Sequence, residues 1–149
     1  MQKVCVIQNE FSDCIGSNSN CIHNATLQQI FNVEASDSSL YSVDYYVSMY
    51  ECQTAYNITI NEFDCLTTVG IKGYDQMKKC ETELQADNGN DSDVCSVKNS
   101  VNKCVMDVFD KYCGKDAAAY VCNVNNAGIN ENLPQCASKL MTCPELNSF

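Results

Sequence analysis

Twelve cysteines carry the most reactive chemistry in this sequence of 149 residues. Thiols at such density serve as metal ligands, as redox groups or as disulfide partners. Paired C-x2-C or C-x4-C units, which are typical of zinc sites and thioredoxin-like chemistry, do not occur. The even count therefore predicts six intramolecular disulfides, and such disulfides indicate an oxidising, extracellular compartment. The cysteines expected to form them are Cys5, Cys14, Cys21, Cys52, Cys65, Cys80, Cys95, Cys104, Cys113, Cys122, Cys136 and Cys143.

The other residues that could support catalysis are few. His23 is the only histidine, so a Ser-His-Asp triad would have to be built on it, and no G-x-S-x-G motif is present. One histidine cannot supply a zinc site of the H-E-x-x-H type. We interpret His23 as an exposed residue at a loop or helix start. The sequence predicts no catalytic residue, no metal, no cofactor and no enzymatic activity.

A tyrosine-rich segment offers the best binding candidates. Tyr41, Tyr45 and Met49 lie on one helical face, and tyrosine is favoured on surfaces that bind a partner yet stay soluble. The alternative is that this segment is simply the enclosed central helix of the fold and is apolar on all sides for that reason.

Charge and surface motifs limit the partners. The net charge is −10, and nucleic acids and anionic membranes select Lys and Arg, so neither is an expected partner. The sequence contains no run of 18 apolar residues, so we expect no membrane insertion. No signal-peptide pattern opens the chain, and we therefore expect it to be a mature secreted protein. Three N-x-S/T sequons predict glycosylation at Asn24, Asn57 and Asn90.

Apolar spacings of three and four residues predict an all-α, disulfide-stapled bundle of about five to six short helices, in one domain covering 1–149 with its core from Cys5 to Cys143. The first 23 residues are expected to hold at most one short helix. Further helices are predicted from Asn24 to about Glu34, from Leu40 through Tyr50, from Asn61 to Val69, from Tyr74 to Leu84, from about Ser92 to Cys113, from Asp116 to Cys122 and from Leu133 to Cys143.

Two polar segments are predicted to be loops, the acidic run 87–93 and the segment 125–128. The acidic run lacks the ligand pattern of a calcium loop, because Gly89 occupies a ligand position and no glutamate follows at position twelve. We interpret it as a surface loop that supplies Asp91 or Ser92 as the cap of the next helix.

The strongest helix prediction places three cysteines on one helix. Cys95, Cys104 and Cys113 are nine residues apart, which is two and a half helical turns, so Cys104 should point away from the other two. Neighbouring members would be about 13.5 Å apart along the axis, too far for a disulfide. Each is therefore expected to bond to a different segment, with the partners of Cys95 and Cys113 on one side and that of Cys104 on the other.

The cysteine ladder resembles that of a known family. The C-x8-C-x8-C-x8-C run CSVKNSVNKCVMDVFDKYCGKDAAAYVC, within twelve cysteines spread over the whole chain, is similar to the nematode "domain of unknown function 19" family. The resemblance implies an extracellular module of nematode origin with six disulfides. It implies no activity and assigns no catalytic or binding residue.

These observations favour a secreted interaction module that binds an extracellular protein in signalling, defence or host modulation. The alternative is a carrier of a small apolar ligand such as a lipid. A lined cavity of several hundred Å3 would favour the carrier, whereas a filled core would favour the interaction module.

Overall fold

The computed structural model describes residues 1–87 and 93–146, and over these ranges the chain contains helices and no strand. The all-α class is confirmed to this extent, whereas the eight α-helices in these ranges exceed the expected five to six. In chain order the α-helices are α1 (Gln2–Ile15), α2 (Asn24–Phe31), α3 (Ala35–Met49), α4 (Tyr56–Asn61), α5 (Phe63–Lys72), α6 (Tyr74–Asp87), α7 (Val94–Cys113) and α8 (Lys115–Asn132). Short 3-10 helices cover Gly16–Cys21 and Pro134–Lys139, and α3 continues into a π-helical turn, Tyr50–Thr54.

The core lies between α7, α8 and the three shorter helices α4 to α6. Val105 and Val108, from the valine stripe of α7, are buried in it. Helix α8 packs on both α7 and α3, and its segment Ala117–Cys122 is buried throughout. Three consecutive alanines at its start let neighbouring backbones approach closely, which explains how one helix can be covered on two sides.

Helix α7 is the structural element that the sequence predicts best. It is one continuous helix of 20 residues, and its three cysteines bond to three different segments. The pairs are Cys95–Cys136, Cys104–Cys80 and Cys113–Cys65, so the partners lie on the last 3-10 helix, on α6 and on α5. Its N-cap is Asp93, whose side chain accepts from the backbone N–H of Cys95. The cap predicted at Asp91 or Ser92 lies outside the described residues.

Two further disulfides, Cys5–Cys52 and Cys122–Cys143, bring the pairs in the described structure to five rather than the expected six. The remaining cysteines, Cys14 and Cys21, carry exposed free thiols. Both lie at the end of a helical segment on the surface. The even count therefore does not by itself ensure that every cysteine lies within bonding distance of another.

The N-terminal segment is more ordered than expected. Instead of at most one short helix, it forms the 14-residue helix α1, which packs on α3. Its only buried residue is Cys5, which is bonded to Cys52 in the π-helical turn. An apolar stripe of Val4, Ile7 and Phe11 runs along α1 but stays exposed, and a covalent contact takes the place of apolar burial against α3.

Segment 125–128 is also helical, contrary to the loop prediction, because α8 runs to Asn132. Its asparagines are used for tertiary contacts. The side chain of Asn102, which is buried on α7, donates to Asn126 Oδ1 at 3.0 Å and accepts from Asn125 Nδ2 at 2.9 Å. Gly128 contributes by allowing close approach, since a Cβ there would lie 3.4 Å from a methyl group of Val43 on α3.

The chain end differs from the predicted helix Leu133–Cys143. The 3-10 helix stops at Lys139, and residues 140–146 form no helix. Side chains of α7 and α8 satisfy this backbone in place of helical hydrogen bonds. The N–H of Met141 donates to Asn99 Oδ1 at 2.8 Å, and its carbonyl accepts from Asn126 Nδ2 at 2.9 Å. Because its polar groups are paired in this way, the segment has no need to form a helix.

Candidate functional site

A cavity of about 640 Å3 lies in the N-terminal part of the chain, between α1, α2 and α3. We call it the N-terminal pocket. It is separate from the buried core cluster, which is built from α4 to α8. Its lining is mostly apolar, with Phe11, Ile22, Leu27, Phe31, Val33, Tyr41 and Tyr45 on its walls. Two polar residues, Gln8 and Asp44, complete the lining.

The pocket has a buried floor and an open rim. Leu27 of α2 and Tyr45 of α3 form the floor and are only 7% and 6% exposed. The rim residues Phe31 and Tyr41 remain 65% and 67% exposed, although both are large aromatic side chains. A buried apolar floor with exposed aromatic rims is typical of a site that a further molecule covers.

The aromatic rings at the pocket have defined relative orientations. Phe11 of α1 meets Tyr45 edge to face, with 5.9 Å between ring centroids and an angle of 83° between ring planes. Tyr45 meets Tyr46 in the same manner, at 5.2 Å and 81°. Edge-to-face contacts stabilise these ring orientations at this side of the pocket.

Helix α1 is attached to α3 and its π-helical extension at more than one point. The buried Cys5–Cys52 disulfide secures its first half. In its second half, Ser12 Oγ lies 3.4 Å from the hydroxyl of Tyr45. Beyond α1, the hydroxyl of Tyr46 donates to the carbonyl of Ser19 at 3.3 Å. These attachments hold α1 and the following 3-10 helix beside the pocket.

The polar groups of the pocket are not satisfied by the protein. Gln8 Nε2 is buried and has no hydrogen-bond partner within the described residues. A buried donor left unpaired costs about 1–3 kcal/mol. The Asp44 carboxylate is exposed, and in the part of the chain that the structure describes it makes no ion pair or hydrogen bond. The buried amide of Gln8 therefore lacks an acceptor from the protein, and the exposed carboxylate of Asp44 is open to solvent or to a ligand.

Two of the three binding candidates from the sequence line this pocket. Tyr41 lies on its rim and Tyr45 on its floor, whereas half-buried Met49 does not line it and instead contacts Gln53 Nε2 through its sulfur at 3.5 Å. Sequence reasoning missed Gln8, Phe11, Leu27 and Phe31, which come from two other helices. In the sequence, only the aromatic residues Phe11 and Phe31 could have indicated that α1 and α2 contribute to a binding site.

The alternative interpretation of the tyrosines was that α3 is enclosed on all sides. The structure shows that α3 is not enclosed in this way. Its buried residues are Ser38, Ser42 and Tyr45, while Leu40 and Tyr41 are exposed. The buried serines satisfy their hydroxyls locally, since Ser42 Oγ donates to the carbonyl of Ser39 at 3.1 Å. Two small side chains and Tyr45 thus make the buried face of α3, and Tyr41 and Tyr45 line the pocket.

Two other cavities, of about 410 and 430 Å3, are more polar. One lies between α3, α7 and α8 and includes Lys98, Asn125 and Asn132. The other includes His23, whose Nδ1 lies 3.1 Å from Glu131 and whose ring stacks on Tyr46. Burial and the Glu131 carboxylate raise the pKa of Tyr46. As predicted, His23 is exposed at the start of α2.

A tyrosine–carboxylate pair lies in the core. Tyr120 of α8 donates its hydroxyl to Glu51 at 2.6 Å. Burial, followed by the hydrogen bond and charge of Glu51, raises the pKa of Tyr120 far above its ordinary value. This contact links α8 to the π-helical turn of Tyr50–Thr54. We interpret it as a structural contact, because Tyr120 is buried among the core residues of α4 to α8.

The predicted glycosylation sites differ in accessibility. Asn57 is exposed on α4. Asn24 is half-buried, and its Oδ1 accepts hydrogen bonds from Gln28 and Ser38. Asn90 lies outside the described residues. An accessible amide is a requirement for a glycan, so Asn57 is the sequon whose setting favours glycosylation most clearly.

Over residues 1–87 and 93–146, no group of three or more His, Cys, Asp and Glu side chains has an arrangement that could hold a metal ion. In the same ranges, none of the helices is both long and apolar enough to span a membrane. Comparison with known proteins found no matching family model, no matching curated protein and no matching solved structure.

Proposed function

We propose that this protein binds a small apolar molecule in the N-terminal pocket. The observation that carries the proposal is a mostly apolar cavity of about 640 Å3 whose lining shares no residue with the buried core cluster. Sites for small molecules in proteins enclose roughly 300–1,000 Å3 and combine apolar walls with a few polar groups. The N-terminal pocket matches this description in size and in lining.

The exposed rims support the same function. Phe31 and Tyr41 leave aromatic surface in contact with water, and covering apolar surface yields about 25 cal/mol per Å2. A ligand in the pocket would cover part of both rings. An acceptor oxygen on the same ligand would pair the unpaired amide of Gln8. Both features cost free energy in the empty protein, and a bound molecule recovers it.

The bracing of α1 is a further argument for ligand binding. Because the Cys5–Cys52 disulfide and the contact between Ser12 and Tyr45 hold α1 in place, the pocket needs little rearrangement before a ligand enters. A site that is formed in advance loses less conformational entropy on binding. The pocket wall is thus prepared for a ligand by covalent and polar contacts outside the pocket itself.

The test uses two matched pairs of variants and the neutral fluorescent probe N-phenyl-naphthylamine. Phe31→Ala and Tyr41→Ala each remove a rim ring, whereas Ile30→Ala and Leu40→Ala remove neighbouring side chains of 63% and 69% exposure that do not line the pocket. We expect the wild type to bind the probe and the two rim variants to bind it several-fold more weakly. The two control variants should bind like the wild type.

Equal weakening by all four variants would indicate non-specific adsorption to the exposed apolar surface. No binding to the wild type by this probe, together with no co-purified apolar molecule in native mass spectrometry, would overturn the proposal. Circular dichroism of each variant checks that the helices remain formed.

A second candidate function is binding of an extracellular protein, and α1 supplies an observation that favours it. Val4 and Ile7 are exposed and lie on the same helical face as Phe11, with spacings of three and four residues. Such a stripe is typical of a helix that contacts a partner. Ile7→Glu should then abolish a specific complex that Phe31→Ala preserves, as judged by size-exclusion chromatography with the isolated partner.

We propose in addition that the protein is secreted. Five disulfides within one chain support an oxidising compartment, because cytosolic thiols are kept reduced. An exposed sequon at Asn57 supports a glycosylated form. Membership of the nematode family with twelve cysteines is likewise a proposal, supported by the spacing of nine residues between successive cysteines from Cys95 to Cys122.

A sixth disulfide between Cys14 and Cys21 belongs to the same proposal. Both thiols are exposed, and they flank Gly16, whose φ of 53° turns the chain between α1 and the 3-10 helix. A disulfide between them would require their Cα atoms to lie about 4.4–6.8 Å apart. The oxidised protein should then weigh about 12 Da less than the reduced protein, one hydrogen for each cysteine. A deficit of about 10 Da with labelling of Cys14 and Cys21 would contradict a sixth bond.

A further inference from the structure

The N-terminal pocket combines aromatic rings with an unpaired negative charge. Four aromatic residues, Phe11, Phe31, Tyr41 and Tyr45, line it. Asp44 lies beside them on α3, three residues after Tyr41 and next to Tyr45. The lining contains neither a lysine nor an arginine nor the histidine. This composition distinguishes the pocket from a general hydrophobic cavity.

We infer that the pocket selects an organic cation, namely an apolar amine or ammonium compound whose charged nitrogen contacts the Asp44 carboxylate and the neighbouring aromatic rings. This inference rests on the proposed function, since it names the ligand class of the same pocket. Aromatic rings attract cations through the negative charge of their faces, and aromatic cages of this kind recognise ammonium groups. The carboxylate adds an opposite charge at the same place.

The electrostatic setting of Asp44 supports a cationic ligand. Its carboxylate has no cationic partner within the described residues, unlike Asp93, which pairs with Lys139 at 3.0 Å. The rest of the protein does not compensate, because the net charge is −10. A field of this sign attracts cations toward the pocket and raises their rate of association.

The same setting disfavours anionic ligands such as fatty acids. A ligand carboxylate in this pocket would meet the charge of Asp44 and would find no lysine, arginine or histidine side chain in the lining. Neutral ligands are intermediate, since they fill the apolar walls but offer no charge to Asp44. The predicted order of affinity is therefore amine, then alcohol, then carboxylate, for molecules with the same apolar body.

The experiment compares three probes that share one apolar body, namely phenylbutylamine, phenylbutanol and phenylbutanoate. Binding is followed by isothermal titration calorimetry at pH 7 and low ionic strength. We expect the amine to bind about tenfold more tightly than the alcohol, because an exposed ion pair and cation–π contacts each contribute a few-fold. The advantage of the amine should decrease as salt is added, since Asp44 is exposed to solvent.

Asp44→Asn is the decisive variant. It preserves the shape of the side chain and removes its charge, so the preference for amine over alcohol should fall to about twofold or less while the affinity for the alcohol is unchanged. Asp37→Asn is the matched control, because Asp37 is an exposed aspartate on the same helix that does not line the pocket. This control should keep the preference of the wild type.

The outcomes separate the two proposals. If the alcohol binds as tightly as the amine, or if Asp44→Asn keeps the full preference, the cation inference is wrong while the proposal of an apolar ligand stands. If the carboxylate binds most tightly, the cation inference is also wrong. If none of the three probes binds at millimolar concentration and the neutral fluorescent probe also fails to bind, both proposals are overturned.

Discussion

Replacing Asn102 with aspartate should destabilise the protein by several kcal/mol at neutral pH, although the two side chains have nearly the same shape. Asn102 is 1% exposed on α7. Its Nδ2 donates to the carbonyl of Cys122 at 3.1 Å and to Asn126 Oδ1 at 3.0 Å, while its Oδ1 accepts from Asn125 Nδ2 at 2.9 Å. The amide is thus satisfied on both sides by α8.

The substitution turns two donated hydrogen bonds into contacts between oxygen atoms. Each lost hydrogen bond costs about 1 kcal/mol, and a buried charge without a partner raises the total cost to about 3–5 kcal/mol. The hydrogen bond from Asn125 is preserved and even strengthened by the charge, so the lower half of this range is expected. The substitution therefore weakens the contact between α7 and α8.

The cost should depend on pH. Burial and the two facing oxygens raise the pKa of the introduced carboxyl in the folded state above its value of about 3.9 in the unfolded chain. Below that value both states are protonated, and the protonated carboxyl can still donate one hydrogen bond. As pH rises above the pKa of the unfolded state, the introduced carboxyl loses its proton in the unfolded state but retains it in the folded state. The free energy of unfolding of Asn102→Asp therefore falls by up to about 1.4 kcal/mol per pH unit.

The assay is urea unfolding with the disulfides intact, followed by far-ultraviolet circular dichroism at pH 4 and pH 7 for the wild type and for Asn102→Asp. Asn130→Asp is the matched control, because Asn130 is exposed on α8 and should tolerate the same change at both pH values. A free-energy difference for Asn102→Asp below about 1 kcal/mol at pH 7 would refute the reasoning, because it lies below the cost of the two lost hydrogen bonds. So would a difference that does not grow between pH 4 and pH 7.

Two glycines and one helix cap provide further predictions. Gly73→Ala should destabilise the protein by about 1–3 kcal/mol, because a Cβ there would lie 3.0 Å from Val108. Gly70→Ala should instead stabilise it by about 0.5–1 kcal/mol, since Gly70 is inside α5 with open space around its Cβ. Urea unfolding distinguishes the two signs, and equal effects would contradict the packing. Asp93 has a pKa held below its ordinary value, first by its hydrogen bond with Lys139. Its stabilising effect is therefore present above the ordinary pKa and lost as pH falls through the lowered pKa. Asp93→Asn should lower the melting temperature at pH 6 and lower it less at pH 2, and a constant difference would contradict the ion pair.

The helical class and the position of α7 could be predicted from the sequence because both depend on local regularities. A valine stripe with spacings of three and four residues requires a helix if the valines are to be buried together. Three cysteines nine residues apart on that helix are too distant to bond to one another, whatever else the chain does. The structure confirms both expectations, with Val105 and Val108 in the core and three separate disulfides along α7.

Segment 125–128 and the chain end could not be predicted in this way. Asparagine and glycine favour loops in isolation, but in α8 their side chains and small size serve contacts with α3, α7 and residues 139–144. These contacts join residues 15 or more positions apart, so no local pattern reports them. The last helices end where they do because their backbone and side-chain amide groups form hydrogen bonds with residues that are distant in the sequence.

The sequence by itself determined that the chain is helical, rich in cysteine and strongly acidic, and it placed tyrosines at positions 41 and 45 on one helical face. Only the tertiary structure brought Tyr41 and Tyr45 together with Phe11 and Leu27 around a cavity, because these residues come from three helices. It also selected the partners of the ten cysteines that are paired in the described residues, since bonding depends on distance rather than on number. Periodicity fixes which residues share a face of one helix, whereas the packing of several helices decides which faces meet and where a space remains between them.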